Sequence, residues 1–349
     1  MNHECNFDRI LHAIKELQPD ILCLNEVLHP FCNPLTTKTS SSDSESSSTP
    51  SLTEEDLQKI QEYYQAVKDR VQPSPIIDPT LFIPSQQEQE TSFLHRLSKE
   101  TNLCHVEYCG ATNEHSFGRG TGVQFGNAIL TTKDYPIHKF QHHVLQPEPN
   151  DIYLGNQQRT YVDPRVFSAY QIKIKTKKVS TILFGVGVVH LDHKSEELRQ
   201  KQMQRGIHET QATLMGIPHF ICGDMNTFQK SDGDDSTWNE ICNLYTENNW
   251  PLPPNNSLVI ELLQSKEYGY QDTYYVQQSA TNKYPSPTAW TDRPLMRIDH
   301  VFVKNDNEES CSASSDGEKK KKIVIEKHFC GRDYDGSDHF PVIVDFRIE

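Results

Sequence analysis

Cysteine is sparse in this chain: nine in 349 residues, scattered and never paired as C-x-x-C. That excludes a disulfide scaffold and zinc knuckles, so the cysteines read as reduced thiols, with Cys23 and Cys222 inside apolar strands. Long hydrophobic runs are also lacking. The longest, residues 181–191, is about half of the roughly 20 residues that a membrane helix needs, and Met1 is followed by polar residues rather than a signal-peptide core. The expectation is a soluble intracellular protein, cytoplasmic or nuclear. Positive charge is in short supply, with 34 Lys+Arg against 48 Asp+Glu and a net charge of -14. A protein that binds nucleic acid by blanketing its phosphates with cations is thereby excluded. No internal repeat is present.

What is present reads as alternating helices and strands. Phe7, Ile10, Leu11, Ile14 and Leu17 fall at helical spacing, closed by Pro19. Residues 21–24 form a short, wholly apolar run, the mark of a strand buried on both faces, and it delivers Asn25 and Glu26 at its end. Residues 40–51 are serine at eight of twelve positions and predict a disordered surface insertion. A helix is expected over Leu57, Ile60, Tyr64, Val67 and Val71, then a Pro-rich passage over 73–84 and a second helical segment around Phe93, Leu94 and Leu97. Strands follow at 126–130, through Tyr170, Ile172 and Ile174, and at 179–191. Residues 194–214 predict an amphipathic surface helix with Leu198, Met203, Ile207 and Leu214 on one side. Apolar residues 219–222 lead into Gly223-Asp224-Met225-Asn226, and later strands are expected at 298–303, 323–325 and 340–348. Residues 305–322 predict a second insertion, acidic and then lysine-rich.

Polar residues collect at the ends of these apolar strands, where a sheet presents side chains to a shared cleft. Glu26 ends one strand, His190 another, and Asp224 with Asn226 a third. Asp299 lies in Arg297-Ile298-Asp299-His300, and Asp338-His339 precedes the last strand. Singly, each has a plain alternative: Gly223-Asp224-Met225-Asn226 is a good turn, Glu26 a solvated strand end, His190 a satisfied core histidine. His193 reads as a loop histidine, Arg159 as a loop charge as much as a phosphate contact, and Asn127 as facing the cleft or as strand-end polarity. His300 should point away from Asp299 by strand alternation. Asp232, Asp234 and Asp235 lack the terminal glutamate of a calcium loop and read as a solvated acidic loop.

The ordered set, from Leu24-Asn25-Glu26 through His190-Leu191, Gly223-Asp224-Met225-Asn226 and Arg297-Ile298-Asp299 to Ser337-Asp338-His339, resembles the endonuclease/exonuclease/phosphatase superfamily with its deoxyribonuclease I-like fold. Supporting matches are Gly126-Asn127-Ala128-Ile129-Leu130 and His190-Leu191-Asp192-His193 followed by Arg199 and Gln202. The resemblance implies an α/β (α+β) four-layer sandwich, two packed mixed β-sheets flanked by helices, as one domain over residues 1–349 with insertions at about 36–53 and 305–322. It also implies hydrolysis of a phosphoester assisted by Mg2+, with Mn2+ acceptable to the same ligands. Glu26 is then the metal ligand and Asp338 a second. Asp224 would orient or deprotonate the attacking water, Asn226 would hold a phosphate oxygen, and His339 would donate to the phosphoryl group with Asp299 fixing its tautomer. His190 would be a second donor.

The family normally opens with a strand bearing an apolar-x-Asn motif, whereas this chain starts at the helix expected after it. The expectation is a sandwich without its first strand, with unpaired backbone beside the gap and a weakened site. Three readings follow: a Mg2+-dependent phosphodiesterase acting on nucleic acid or a nucleotide-like ester by in-line water attack, a hydrolase of small or lipid phosphoesters, and a noncatalytic binding module. Presence of all six of His190, Asp224, Asn226, Asp299, Asp338 and His339 favours an enzyme. A phosphoester, nucleic acid among the candidates, is the expected partner, and a monomer the expected state.

Overall fold

The computed structural model describes residues 6–30, 92–112, 123–145, 153–155, 158–160, 165–175, 181–277, 284–305 and 321–349. The expected insertion at 36–53, the helix over 57–71, the Pro-rich passage, Tyr161 and residues 306–320 lie outside the described residues, as does the side chain of Arg159.

Helix α1, Phe7–Leu17, starts where the Asn6 side chain accepts the Arg9 N–H. It stops at Gln18, which turns left-handed at φ 47° and donates its N–H to the Ile14 carbonyl just before Pro19. Strand β1, Ile21–Pro30, pairs antiparallel with β3, Val123–Thr132, and β3 pairs in turn with β2, Leu103–Thr112. Helix α2, Phe93–Glu100, is capped by Ser92. Leu11 and Ile14 of α1 and Leu94 and Leu97 of α2 bury against Ala128 and Leu130 of β3. The intervening Ile129 points to the opposite face, as strand alternation requires.

A larger mixed sheet lies on that opposite face. Its strands are β4 (Ile137–Leu145), β7 (Arg165–Lys175), β8 (Thr181–His190), β9 (His219–Asp224), β10 (Gln271–Asp272) and β11 (Asp299–Lys304), in spatial order β10-β11-β9-β8-β7-β4. Only β8 and β9 run parallel, joined across by helix α3, Glu196–Leu214. One face of this sheet carries Tyr170, Ile172, Phe184, Val186, Val188 and Phe220 toward Ile21, Cys23 and Ile129 of the small sheet. The same core takes in Ile323, Phe346 and Ile348 from a separate hairpin, β12 (Ile323–Cys330) with β13 (Val342–Ile348). The other face packs Phe167, Val189, Ile221 and Phe302 against Met203 and Leu214 of α3 and against Val259, Ile260 and Leu263 of α5, Leu258–Gln264. Helices, sheet, sheet, helices: the expected four layers are present. A small hairpin of β5 (Tyr153–Gly155) and β6 (Gln158–Thr160), with helices α4 (Asp235–Glu247) and α6 (Thr273–Gln277), completes the elements.

Among the described residues β1 pairs with β3 alone and β13 with β12 alone.

Several expectations need correction. Strand β1 does not end at Glu26 but continues to Pro30 through a bulge, because Leu24 pairs with Ala128 and Val27 with Gly126, leaving Asn25 and Glu26 opposite Asn127 alone. Strands β2 and β4 went unread, since Leu103–Thr112 and Ile137–Leu145 interleave histidine and other polar residues with too few apolar ones to show a period of two. Helix α3 is more than a surface helix: Glu196, Arg199, Gln202, Thr210 and Thr213 are all buried. The acidic loop is also partly structural, for Asp234 caps α4 by accepting the Thr237 N–H and Asp232 accepts from the Tyr275 hydroxyl.

Candidate active site

The site forms at one end of the inner sheet. In the parallel β8–β9 pair His190 lies beside Asp224, and in the antiparallel β9–β11 pair Asp224 lies beside Asp299. Strand pairing alone therefore sets His190, Asp224 and Asp299 in a row. His339, in the segment leading to β13, comes next: its Nδ1 is 3.0 Å from Asp299 Oδ2, and its backbone bridges to Ala289. Nδ1–H donates to the carboxylate, which leaves Nε2 as the outward nitrogen.

The bulge in β1 supplies the opposite wall. Glu26 takes a φ of 58°, and its side chain stays 58% exposed with Oε1 3.7 Å from His190 Nε2. Asn25 turns the other way and ties the two sheets together: Nδ2 donates to Asn127 Oδ1 (2.8 Å) and to the Val189 carbonyl (3.0 Å), while Oδ1 accepts the Asp224 N–H (2.8 Å). Asn127, 1% exposed, donates onward to the Val166 carbonyl. It is a cross-link between sheets and not a cleft residue. Gly223 precedes Asp224 at φ 135°, and a Cβ there would lie 2.0 Å from the Val189 carbonyl oxygen, so only glycine lets β9 approach β8 at this point.

After Asp224 the chain turns sharply. Asp224 Oδ1 accepts the Asn226 N–H, and Asn226 adopts φ 50° with Nδ2 donating to the Leu191 carbonyl. Met225 donates its N–H to the Ile298 carbonyl. His300 does point away from the site, as strand alternation predicts, and its Nε2 meets the Thr227 carbonyl at 2.8 Å. Behind it Arg297 Nη2 lies 2.7 and 2.8 Å from the two carboxylate oxygens of Asp272.

Electrostatics separate the roles open to these groups. Burial pushes the Asp224 carboxyl up, the nearby Asp299 and Glu26 add to this, and the net position is about 7. Burial would depress His339, but Asp299, then Asp224 and Asp338, outweigh it and raise the imidazole to about 10. Asp299 is held low by His339 despite its burial. His190 is held well below its usual range by burial, then by Arg165, His339 and His193, so it is a neutral imidazole. The row thus contains one imidazolium, one neutral imidazole and one carboxyl poised near neutrality.

Arg165 joins the candidate site without having been singled out in the sequence. It opens β7 and is 5% exposed. Its Nη1 lies 3.1 and 3.2 Å from the two ring nitrogens of His190, an equidistance that puts the guanidinium over the ring face, and Nη2 lies 3.1 Å from His193 Nδ1. Its Nε is buried without a partner among the described residues. A buried cation stacked on imidazoles beside a cleft is suited to an anion. The available signal was its position at the start of an apolar strand paired with that of His190. His193 also belongs here, between Arg165 and the edge of Trp250.

Among the described residues no three His, Cys, Asp or Glu side chains converge as a ready-made metal cluster. Mg2+ asks for less, keeping most of its waters and taking one or two carboxylates. The exposed Glu26 supplies one facing the row, its Oε1 3.7 Å from His190 Nε2, so the residues fit. Asp338 adjoins His339, and its Oδ1 lies 3.2 Å from Ser337 Oγ.

Comparison with known proteins bears on the family and the fold. The family model described as "Endonuclease/Exonuclease/phosphatase family" matches residues 2–339. An endonuclease/exonuclease/phosphatase from Bacteroides vulgatus is similar in structure at a TM-score of 0.54 and 15% identity, with 99% of this chain and 90% of that chain covered. The human Nocturnin catalytic domain gives 0.49 at 15% identity over 98% and 86% of the two chains. A mannosyl-6-phosphatase from Bacteroides thetaiotaomicron gives 0.47 at 15% identity over 98% and 90%. No curated protein sequence matches. At 15% identity the likeness to the Bacteroides vulgatus protein speaks to the fold, while the sequence match over nearly the whole length decides the family. The chain belongs to the endonuclease/exonuclease/phosphatase family, whose members are phosphoester hydrolases such as nucleases and phosphatases and generally use divalent metal ions.

Proposed function

We propose that this protein is a Mg2+-dependent phosphoesterase that hydrolyses a phosphodiester, of nucleic-acid or nucleotide type, by direct attack of water. The observation that carries the reading is the row of His190, Asp224, Asp299 and His339, in which strand pairing sets a carboxyl poised at about 7 between a neutral imidazole and an Asp-held imidazolium. In this reading Asp224 accepts the proton of the attacking water, its affinity near neutrality being what a general base requires. His339 donates through Nε2–H to a phosphoryl oxygen as charge grows there, and Asp299 keeps that proton on Nε2 by holding Nδ1–H. Asn226 offers its second amide hydrogen to a non-bridging oxygen, the first being held by the Leu191 carbonyl. His190 donates from the opposite side, and Arg165 adds a fixed positive charge. A divalent cation on Glu26, with Asp338 as a further ligand, would polarise the phosphoryl group and offset its charge.

The test is hydrolysis by the purified chain, with and without Mg2+. Substrates would be single- and double-stranded DNA, RNA, a phosphoinositide, sphingomyelin and a phosphomonoester. Asp224→Ala and His339→Ala are each expected to lower kcat by a factor on the order of 10² or more with the fold intact. Normal turnover in either removes the assignment. Glu26→Gln is expected to raise the Mg2+ concentration needed for half-maximal rate.

A further inference from the structure

One buried network lies outside the reacting row yet grips the chain beside it. Glu196, the first residue of α3, is 8% exposed. Its carboxylate lies 2.8 and 2.9 Å from Thr227 Oγ and 2.7 Å from Ser257 Oγ, and it accepts the Val259 N–H at 3.3 Å. Arg199, one turn along the helix and 1% exposed, donates to it from Nε (2.8 Å), with Nη2 at 2.7 Å, and sends Nη1 to the Asp192 carbonyl at 3.0 Å. Burial would raise the Glu196 carboxyl, but Arg199, Ser257 and Thr227 hold it low, so it stays charged.

Two of these contacts lead toward the cleft. Asp192 lies two residues after His190, Thr227 follows Asn226 directly, and Ser257 caps α5. We infer that Glu196 is a positioning residue for the reaction: through the Thr227 hydroxyl it fixes the turn from Asp224 to Thr227 against the loop after His190, and so sets where Asn226 presents its amide. The inference rests on the phosphoesterase reading and adds to it a residue that touches neither substrate nor metal.

Stability alone is a poor reason for this arrangement. A buried ion pair often does no better than apolar residues of the same volume, because desolvation consumes the Coulombic gain. What a carboxylate with several donors does supply is a fixed geometry among three chain segments. Asn226 needs that constraint. It sits at φ 50°, a left-handed conformation that asparagine tolerates better than most side chains but that its surroundings still have to hold. The turn is pinned at one end by Asn25 on the Asp224 N–H, and at the other by Glu196 on the Thr227 hydroxyl with His300 on the Thr227 carbonyl.

The discriminating pair is Thr227→Val, which keeps the shape and loses the hydroxyl, and Thr227→Ser, which keeps the hydroxyl and loses the methyl. Turnover of the substrate found above would be measured together with amide hydrogen exchange over residues 224–228. The expectation for Thr227→Val is a fall in kcat of about tenfold or more, since small misplacements beside reacting groups are costly. KM should stay within about twofold, and exchange over the turn should become faster. Thr227→Ser should rescue both, and Glu196→Gln should follow Thr227→Val. Wild-type kcat and exchange in Thr227→Val overturn the inference. So does equal impairment in Thr227→Ser, which would make the side chain's role one of packing. If Glu196→Gln does not fold, the threonine pair decides alone. If the wild-type chain turns over no phosphoester, the functional reading fails, and the exchange comparison still decides whether Glu196 holds the turn.

Discussion

Arg165 shows how a single residue acquires meaning from its neighbours. Its guanidinium stacks on the His190 ring and reaches His193, so it contributes both charge and a planar set of donors. Arg165→Gln is expected to lower kcat/KM by a factor on the order of 10², and Arg165→Lys to recover only part of this, because an ammonium is a point charge without the planar fork. Steady-state kinetics on the folded variants check this. His142 gives a residue-scale prediction about stability. It is packed edge-on to Tyr170 with Nδ1 buried and unpartnered among the described residues, and burial lowers it to about 4. A folded-state value below the unfolded 6.5 means that the unfolded chain takes up the proton first as pH falls. The stability that depends on a neutral His142 is therefore complete above about pH 6.5 and lost between there and about pH 4, by up to about 3 kcal/mol. Melting curves across that window should slope less steeply in His142→Gln than in the wild type. Equal slopes would show that His142 is not the group titrating.

At the scale of elements, the approach of α3 to β7 depends on Gly206. A Cβ at that position would lie 2.4 Å from Cδ2 and 2.7 Å from Cγ of Phe167, a ring that is fully buried. Gly206→Ala gains helix propensity of about 1 kcal/mol but meets a ring with nowhere to move, so a net loss of roughly 1–3 kcal/mol is expected in denaturant melts. A stabilised variant would mean that α3 can shift outward. The β1 bulge is the second element that matters, since one extra residue opposite Asn127 sends Glu26 to the cleft and Asn25 into the inter-sheet layer. A regular strand would have put the two on its faces without the sharp turn at φ 58° that aims Glu26.

Across the whole molecule, the four layers bury two apolar faces of the inner sheet and set the polar row at its strand ends beside the exposed Glu26. The net charge of -14 then acts on any approaching polyanion. For an oligonucleotide substrate kcat/KM is expected to rise as monovalent salt is raised from about 20 to 150 mM, because screening weakens the long-range repulsion. A small neutral-flanked phosphodiester should show little change. A steep fall with salt for the oligonucleotide would instead reveal a basic surface local to the cleft, the behaviour of phosphate-contacting proteins.

Much of this was legible in the chain itself. Helix α1, strands β3, β7, β8, β9, β11 and β13 and the residues His190, Asp224, Asn226, Asp299 and His339 follow from local periodicity and from polar groups at the ends of apolar runs, because burial on one face leaves its mark at a fixed spacing. Their order along the sequence was enough to suggest the family. The tertiary structure alone decided the rest. The Asn25 side chain meets the Asp224 N–H from 199 positions away, and Glu196 meets Ser257 across 61. Arg165 gains its place only when β7 pairs with β8 and sets Val166 beside His190. The bulge at Asn25 and Glu26 exists only as a mismatch between two paired strands. Periodicity reports what each segment does with its own two faces, and it carries no record of which distant segment those faces will meet.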